Sequence, residues 1–269
     1  MKKNNCQISV IMSCYNCERT INKAIDSILA QTYTDWVMVC CDDGSTDRTY
    51  QILKEYKNRY PDKFLLLRNE KNMKLAHSLN KCLCCVKTDY VARMDADDES
   101  LPDRFEKQMD YLKNNPECIV CGTTILIKNE LSGKQYISKN EEHPNRFTLH
   151  KHTPFNHATI LCRRQMYDLL GGYSEEKTAV RCEDKELWFR FFANNLVGAN
   201  LSEPLYTLTE DKASIYRSTR RNRCNSFITE ISGYKLLRYP WYWYIKPVVN
   251  LLKILVPKRL IVFYYKVFR

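Results

Sequence analysis

The chain has 269 residues, 44% of them hydrophobic and 27% charged, which is enough to bury a core in one large domain or in one domain with an appendage. No uncharged apolar stretch approaches the roughly 20 residues that cross a bilayer, and the polar N-terminus lacks the pattern of a secretory signal. The net charge of +11 is concentrated in residues 212–269, which carry 13 Lys and Arg against one acid, Glu230, whereas residues 1–211 are close to neutral.

The thirteen cysteines are expected to stay reduced, because a chain without a secretory signal remains in the cytosol. Three Cys-x-x-Cys pairs have the spacing of structural zinc ligands, namely Cys14/Cys17, Cys82/Cys85 and Cys118/Cys121. We favour the interpretation that these are core cysteines, because free cysteine packs as a small apolar residue and the third pair falls within a predicted buried strand.

The first 128 residues alternate between short apolar runs, typical of buried strands, and helical periodicity. Strands are predicted over residues 8–13, 36–41, 64–68 and 90–94, and helices over 18–31, from Ser45 or Thr46 to about residue 60, over 76–86 and over 103–114. This alternation predicts an α/β fold with a mostly parallel sheet flanked by helices. Because such sheets bind ligands beyond the carboxyl ends of their strands, Tyr15, Asp43 and Asp95 should converge on one crevice.

The second half of the chain is less regular. Strands are predicted over residues 119–128 and 157–162, and helices over 165–170, ended by Gly171-Gly172, and over 183–194. Four consecutive aromatic residues, 241–244, then precede apolar residues interspersed with Lys and Arg. This basic, aromatic C-terminal extension is typical of helices that lie in a membrane interface. The alternative is a pair of helices packed on the domain or on a second copy of the chain in a homo-oligomer.

Two alternate acids, Asp95 and Asp97, directly follow the predicted fourth strand. Carboxylates this close repel one another unless a cation lies between them. Mg²⁺ and Mn²⁺ take carboxylate oxygens, and Mg²⁺ sites usually include substrate phosphates. The pair therefore indicates a divalent metal that holds a phosphorylated substrate. An acidic loop that only caps the next helix, near Ser100 or Asp103, is the alternative.

Four segments together resemble the inverting family 2 glycosyltransferases, which have the GT-A fold. They are residues 10–16, residues 26–33 with 42–47, residues 93–104 and residues 183–190. The resemblance implies a nucleotide-diphosphate sugar as donor, with UDP expected as the nucleotide. It also implies a nucleotide pocket lined by Ser13, Tyr15 and Asp43, with Asp95 near the ribose and Asp97 on Mn²⁺ or Mg²⁺. Asp98 is expected to cap or solvate the loop, and helix capping is the alternative role for Asp42 or Asp43.

The resemblance also implies roles on the acceptor side and in the donor loop. Asp184 is the expected general base, with Glu183 as its substitute, and the alternative for Asp184 is a carboxylate that caps its helix. His157 is expected to face the acceptor, a structural role being the alternative. Lys74 stands where related sequences often carry Gly, and it either contacts the diphosphate or is a solvated loop residue.

Residues 1–211 are therefore expected to form a glycosyltransferase domain, with a nucleotide-sugar half (1–128) and an acceptor half (129–211). Residues 212–269 would hold it, as a cytoplasmic protein, at the inner face of the cell membrane, beside a glycan or lipid-linked acceptor for bacterial surface polysaccharide. A nucleotidyltransferase is one alternative, but that class usually has a Gly-rich loop after its first strand, and residues 14–17 contain no Gly. Nucleic-acid binding by the extension is the other, but the extension is too apolar to follow phosphates.

Overall fold

The computed structural model describes residues 7–129, 133–138, 140–210 and 219–252, and nine strands within these ranges form one mixed sheet. The strands are β1 (Ile8–Cys14), β2 (Trp36–Asp42), β3 (Phe64–Arg68), β4 (Tyr90–Arg93), β5 (Glu99–Ser100), β6 (Cys118–Asn129), β7 (Gln135–Ile137), β8 (Leu161–Arg163) and β9 (Val197–Glu210). Their order is β3-β2-β1-β4-β8-β6-β9-β5, and β7 pairs with β6. Strands β1 to β4 are parallel to their neighbours within this group, whereas β8 is antiparallel to both β4 and β6.

Helices cover both faces of the sheet. They are α1 (Ile21–Leu29), α2 (Thr49–Arg59), α3 (Leu75–Leu83), α4 (Arg104–Asn114), α5 (Thr148–Lys151), α6 (Gln165–Leu170), α7 (Glu183–Ala193), α8 (Arg220–Leu236) and α9 (Ile245–Leu252), with 3₁₀ turns at His157–Thr159 and Trp241–Tyr244. Alternate residues of β1 point to opposite faces, so Val10 and Met12 pack with α1, α2 and α4, while Ile11 packs with α3, α6 and α7. The predicted α/β sheet with helices on both faces is confirmed.

Two local predictions are wrong, and one strand was missed. Neither Ser45 nor Thr46 caps α2, because Asp47 Oδ1 accepts the backbone N–H of Thr49 over 3.0 Å. The strand predicted over 157–162 is a 3₁₀ turn followed by the short strand β8. The long strand β9 was not predicted, because Pro204 in its middle argues against a central strand. The structure accommodates this proline with two register shifts opposite Thr124.

The C-terminal extension is helical, as predicted, and its first helix packs on the domain. Gly233 of α8 lies against the ring of Phe189 in α7, and Tyr234 is buried. Packing on the domain, the alternative for the extension, therefore describes α8. The predicted boundary at 211/212 and residues 253–269 lie outside the described residues. In the ranges that the structure covers, no helix is both long and apolar enough to cross a bilayer.

Candidate functional site

The loops after β1 and β2 are joined at the carboxyl edge of the sheet. Cys14 pairs with Asp42, so the two strands end side by side. Asn16, with φ of 49°, donates its backbone N–H to Ser45 Oγ over 3.1 Å and accepts the N–H of Thr46 on Oδ1 over 2.9 Å. Tyr15, which lies next to these bonds, is 46% exposed, so its ring is accessible to a flat ligand group.

Asp43 is buried and fixes the loop that leads into α3. Its Oδ1 accepts Asn69 Nδ2 and the backbone N–H of Met73, each over 2.8 Å, and its Oδ2 accepts the N–H of Lys74 over 3.0 Å. Asp42 is also buried and forms an ion pair with Arg68 Nε at 3.2 Å. Neither acid caps α2, whose N-cap residue is Arg48, and Asp47 Oδ1 instead accepts the N–H of the first helical residue, Thr49.

Lys74 has a backbone conformation that side chains rarely adopt. Its φ is 80° and its ψ is 165°, a region that is essentially confined to glycine. This conformation gives a structural reason why related sequences often carry Gly at this position. The residue here is Lys. The side chain of Lys74 is exposed directly before α3, on the loop that Asp43 holds.

The acidic loop (residues 94–98) follows β4, and Arg93 and Tyr206 hold it in place. Asp95 Oδ1 lies 2.6 Å from Nη2 of the buried Arg93, and the backbone N–H of Asp95 donates to Tyr206 Oη over 3.2 Å. Sequence reasoning missed both partners. Arg93 begins the 93–104 segment without an obvious role, and Tyr206 belongs to the unpredicted strand β9.

Asp98 differs from the expectation that it caps or solvates the loop, because only 4% of it is exposed. Burial raises the pKa of Asp98 to about 8, the charges of Asp95 and Asp97 add to the increase, and a hydrogen bond with Tyr206 opposes it. Three acids are therefore crowded into one loop, and Asp97 is the exposed one. A cation beside the loop would relieve this repulsion.

The residues present fit a divalent cation that shares its ligands with a substrate. Within the described ranges, no group of three or more His, Cys, Asp or Glu side chains is arranged to hold a metal on its own. Asp97 and the partly exposed Asp95 supply the hard oxygen ligands that Mn²⁺ and Mg²⁺ prefer, and phosphate oxygens complete such sites. Asp97 also lies close enough to the loop after β1 for its charge to oppose the lowering of the Cys17 pKa, which a hydrogen bond from Cys14 causes.

Asp184 is the acid that the second half of the chain contributes near the acidic loop. It is partly buried in the first turn of α7, and burial raises its pKa. The charge of Asp95 adds to the increase, whereas the backbone N–H and the charge of Lys185 oppose it. The neighbouring Glu183 is only 7% exposed, and burial raises its pKa too. Asp184 is thus the more accessible of the two acids, and the backbone N–H groups of the first turn of α7 act on its pKa without capping the helix, whose N-cap residue is Cys182.

His157 lies beneath the acidic loop. Its Nε2 is 2.7 Å from Tyr173 Oη, and its ring packs edge-on against Trp188. Burial lowers the pKa of His157 well below its usual value, and the charge of Arg93 adds to the decrease. Its Nδ1 is buried and has no hydrogen-bond partner within the described residues. His157 is therefore neutral near pH 7.

A mixed sheet whose first four strands are parallel, with several acids after the carboxyl ends of its strands and another acid from a later helix, is typical of glycosyltransferases with the GT-A fold. The family model for Glycosyl transferase family 2 matches residues 9–169, and the chain belongs to this family of enzymes. It is 38% identical over 260 residues to the glycosyltransferase EpsE of Bacillus subtilis (strain 168), covering 97% of this chain and 93% of that protein. It is 30% identical over 236 residues to the amylovoran biosynthesis glycosyltransferase AmsE of Erwinia amylovora, covering 85% of this chain and 84% of AmsE.

Solved structures share the fold. TarS 1–349 of S. aureus, in complex with UDP-GlcNAc, matches with a TM-score of 0.67 at 19% identity, over 93% of this chain and 71% of that chain. The mannosyltransferase PcManGT of Pyrobaculum calidifontis, in complex with GDP-Man and Mn²⁺, matches with a TM-score of 0.63 at 17% identity, over 94% of this chain and 70% of that chain. These similarities confirm the GT-A fold predicted from the sequence.

Proposed function

We propose that this enzyme transfers a sugar from a UDP-sugar to a glycan or lipid-linked acceptor, with inversion at the anomeric carbon and with Mn²⁺ or Mg²⁺ as cofactor. The observation that carries the proposal is the placement of the acids: Asp95 and Asp97 follow β4, which pairs with β1, and Asp184 lies in the first turn of α7, near enough for the charge of Asp95 to act on it. A base on one side and metal-binding acids on the other are the two groups that glycosyl transfer requires. The complex of TarS with UDP-GlcNAc and that of PcManGT with Mn²⁺ support the choice of donor and cofactor.

The donor is held at the carboxyl edge of β1, β2 and β4. Ser13 and Tyr15 contact the nucleoside. Asp43 accepts a hydrogen bond from the base with its remaining lone pair, and it also fixes the shape of the loop before α3 that faces the base. Asp95 lies at the ribose, and Asp97 holds the cation. When bound, the cation neutralises the charge that develops on the departing diphosphate. The exposed ammonium of Lys74 adds a positive charge on the other side of the diphosphate.

Asp184 acts as the general base. Its raised pKa increases its affinity for a proton, and its partial exposure lets an acceptor hydroxyl approach. As the hydroxyl oxygen bonds to the anomeric carbon, its proton passes to Asp184, and the bond to the diphosphate breaks on the opposite face. Direct displacement of this kind inverts the configuration. The neutral His157 packs against Tyr173 and Trp188 and so stabilises the acceptor side of the site. Glu183 is the substitute base.

The acceptor is proposed to lie at a membrane surface. Trp241 is 79% exposed, and exposed apolar side chains continue along the same segment, namely Tyr242, Ile245, Val248, Val249 and Leu252. The spacing of the last four places them on one face of α9. An interfacial helix beside Lys and Arg suits the inner face of the cell membrane, and the name of AmsE, a biosynthesis enzyme for amylovoran, supports a role in surface polysaccharide synthesis.

The test uses purified full-length protein with Mn²⁺, a panel of nucleotide sugars and detection of the released nucleotide. We expect Asp97→Ala to abolish metal-dependent UDP binding. Asp184→Asn should leave UDP binding within about twofold and lower turnover about 100-fold or more, the usual range for loss of a general base. Asp168→Asn is the matched control, because that acid is exposed on α6 and forms an exposed ion pair with Arg164.

Two outcomes would contradict the proposal. Near-wild-type turnover of Asp184→Asn would exclude Asp184 as the base. Formation of a nucleotide sugar from a nucleoside triphosphate and a sugar 1-phosphate, with release of pyrophosphate, would identify a nucleotidyltransferase, the alternative class.

A further inference from the structure

Helix α8, from the C-terminal extension, holds the loop that delivers Asp184. The buried side chain of Asn225 donates from Nδ2 to the backbone carbonyls of Lys177 and Val180, over 3.2 and 3.0 Å. One helical turn later, Thr229 Oγ1 donates to the carbonyl of Thr178 over 3.3 Å. Three carbonyls of one loop thus find their donors on α8, because this loop has no strand or helix to satisfy them.

The loop needs such external support because of its backbone. It contains two tight turns, in which Ala179 and Cys182 donate their N–H groups to the carbonyls of Glu176 and Ala179. Arg181, with φ of 68°, has a conformation that is unfavourable for a side chain. The loop then enters α7 at Glu183, one residue before Asp184. A change in this loop would therefore move the start of α7 and the carboxylate of Asp184 with it.

A second contact reaches the residue next to Asp184. Lys185 Nζ lies 2.5 Å from Glu230 Oε1 and 3.0 Å from Ser226 Oγ, both on α8. Glu230 is buried and is the single acid of residues 212–269. Since the charge of Lys185 lowers the pKa of Asp184, the Glu230 carboxylate fixes the position of a charge that acts on the base. Close packing of Gly233 on Phe189 holds the two helices together.

We infer that α8 is a positioning element of the catalytic site, in which Asn225 is the residue that sets the place of Asp184 through the 177–182 loop. This inference rests on the proposed role of Asp184 as the base. It assigns part of the extension to catalysis, separately from the proposed contact of α9 with the membrane. Asn225 is a positioning residue and touches no substrate.

The experiment compares Asn225→Ala with Ile228→Ala, which alters an exposed side chain of the same helix. We expect Asn225→Ala to lower kcat by about 10- to 100-fold, the range for small displacements of a catalytic group, while the Kd for UDP with Mn²⁺ stays within about twofold. Ile228→Ala should change neither. An Asn225→Ala enzyme with unchanged kcat would overturn the inference.

A double variant separates positioning from general loss of structure. If Asn225 acts only through Asp184, Asn225→Ala should cause no further loss in an Asp184→Asn background, because coupled residues are not additive. The residual rate is measured with enzyme in excess over donor. Equal losses in both backgrounds would refute the positioning role and leave the base intact, whereas undiminished turnover of Asp184→Asn alone would refute the base. If Asn225→Ala does not fold, Thr229→Val, which removes one hydrogen bond, carries the same comparison and the same outcomes.

Discussion

The backbone N–H of Lys74 donates to Asp43 Oδ2 over 3.0 Å while Lys74 itself has φ of 80° and ψ of 165°. The buried carboxylate of Asp43 therefore holds a non-glycine residue in a conformation that costs about 1–3 kcal/mol. Strain of this size is retained at functional sites when a side chain is needed there.

Replacement of Lys74 should separate strain from charge. We expect Lys74→Gly to raise the free energy of unfolding, because relief of the strain exceeds the roughly 0.5–1 kcal/mol by which glycine's chain entropy opposes folding. Lys74→Ala keeps the strain and should not stabilise. Both variants lose the ammonium, so both should bind UDP-sugar more weakly, as measured by calorimetry. Equal stabilities in urea would show that the strain is absent, and unchanged donor affinity in both variants would remove Lys74 from the donor site.

The contact between α7 and α8 leaves no space for a methyl group. A Cβ on Gly233 would overlap the ring of Phe189, which is buried and cannot move aside easily. We expect Gly233→Ala to lower the free energy of unfolding, because overpacking costs about 1–3 kcal/mol and exceeds the gain of up to about 1 kcal/mol in helix propensity. Urea titration measures the change, with Ser232→Ala, an exposed neighbour, as control. A more stable Gly233→Ala would show that the two helices are not closely packed.

His157 should make stability depend on pH. Its pKa is lowered in the folded protein by burial, so the unfolded chain binds the proton more readily. The stabilisation is complete above the unfolded pKa of about 6.5 and is lost as the pH falls toward the folded pKa, by up to about 1.4 kcal/mol per pH unit. His157→Gln cannot take a charge and should reduce the slope of unfolding free energy between pH 7 and 5. The exposed His143→Gln is the control, and an unaltered slope in His157→Gln would show that the ring is charged or exposed.

The exposed face of α9 and the preceding turn should bind lipid. We expect the wild type to sediment with vesicles that contain phosphatidylserine, and replacement of Trp241, Tyr242 and Ile245 by Ser to abolish sedimentation while donor hydrolysis continues. Leu169→Ser, an equally exposed apolar residue on α6, is the control. Binding to duplex DNA at physiological salt, or vesicle binding that survives the triple replacement, would contradict the membrane proposal.

The nucleotide half was predictable because its signals are local. Buried parallel strands such as β1 appear as continuous apolar runs, and Asp43, Asp95 and Asp97 follow strand ends directly, where a parallel sheet places its ligands. Asp184 was predicted as a site residue because its segment, residues 183–190, follows the other three in the order found in family 2 glycosyltransferases. The roles given to these residues remain proposals, whereas the sheet and the family are established.

The supporting residues were not predictable, because their partners are distant in sequence. Tyr206 contacts the acidic loop only because β9 passes Pro204 by shifting its register. Burial of Asp98 follows from the same strand, since Thr209 and Tyr206 approach it from β9. In the sequence, Asn225 is an ordinary polar residue of a basic helix. Its contact with the carbonyls of Lys177 and Val180 is known only from the structure.

The pairing of β5 with β9 has a consequence for cation affinity. Glu99 and Ser100 pair with Thr207 and Tyr206 immediately after the three acids, and Ser100 also donates its N–H to Ser27 Oγ over 3.0 Å. With β4 on the other side, the loop is tethered at both ends before any ligand arrives. Little backbone freedom is then left to lose on binding. Because the folded sheet keeps the mutually repelling carboxylates together, the proposed cation site would be preorganised for a small, highly charged ion.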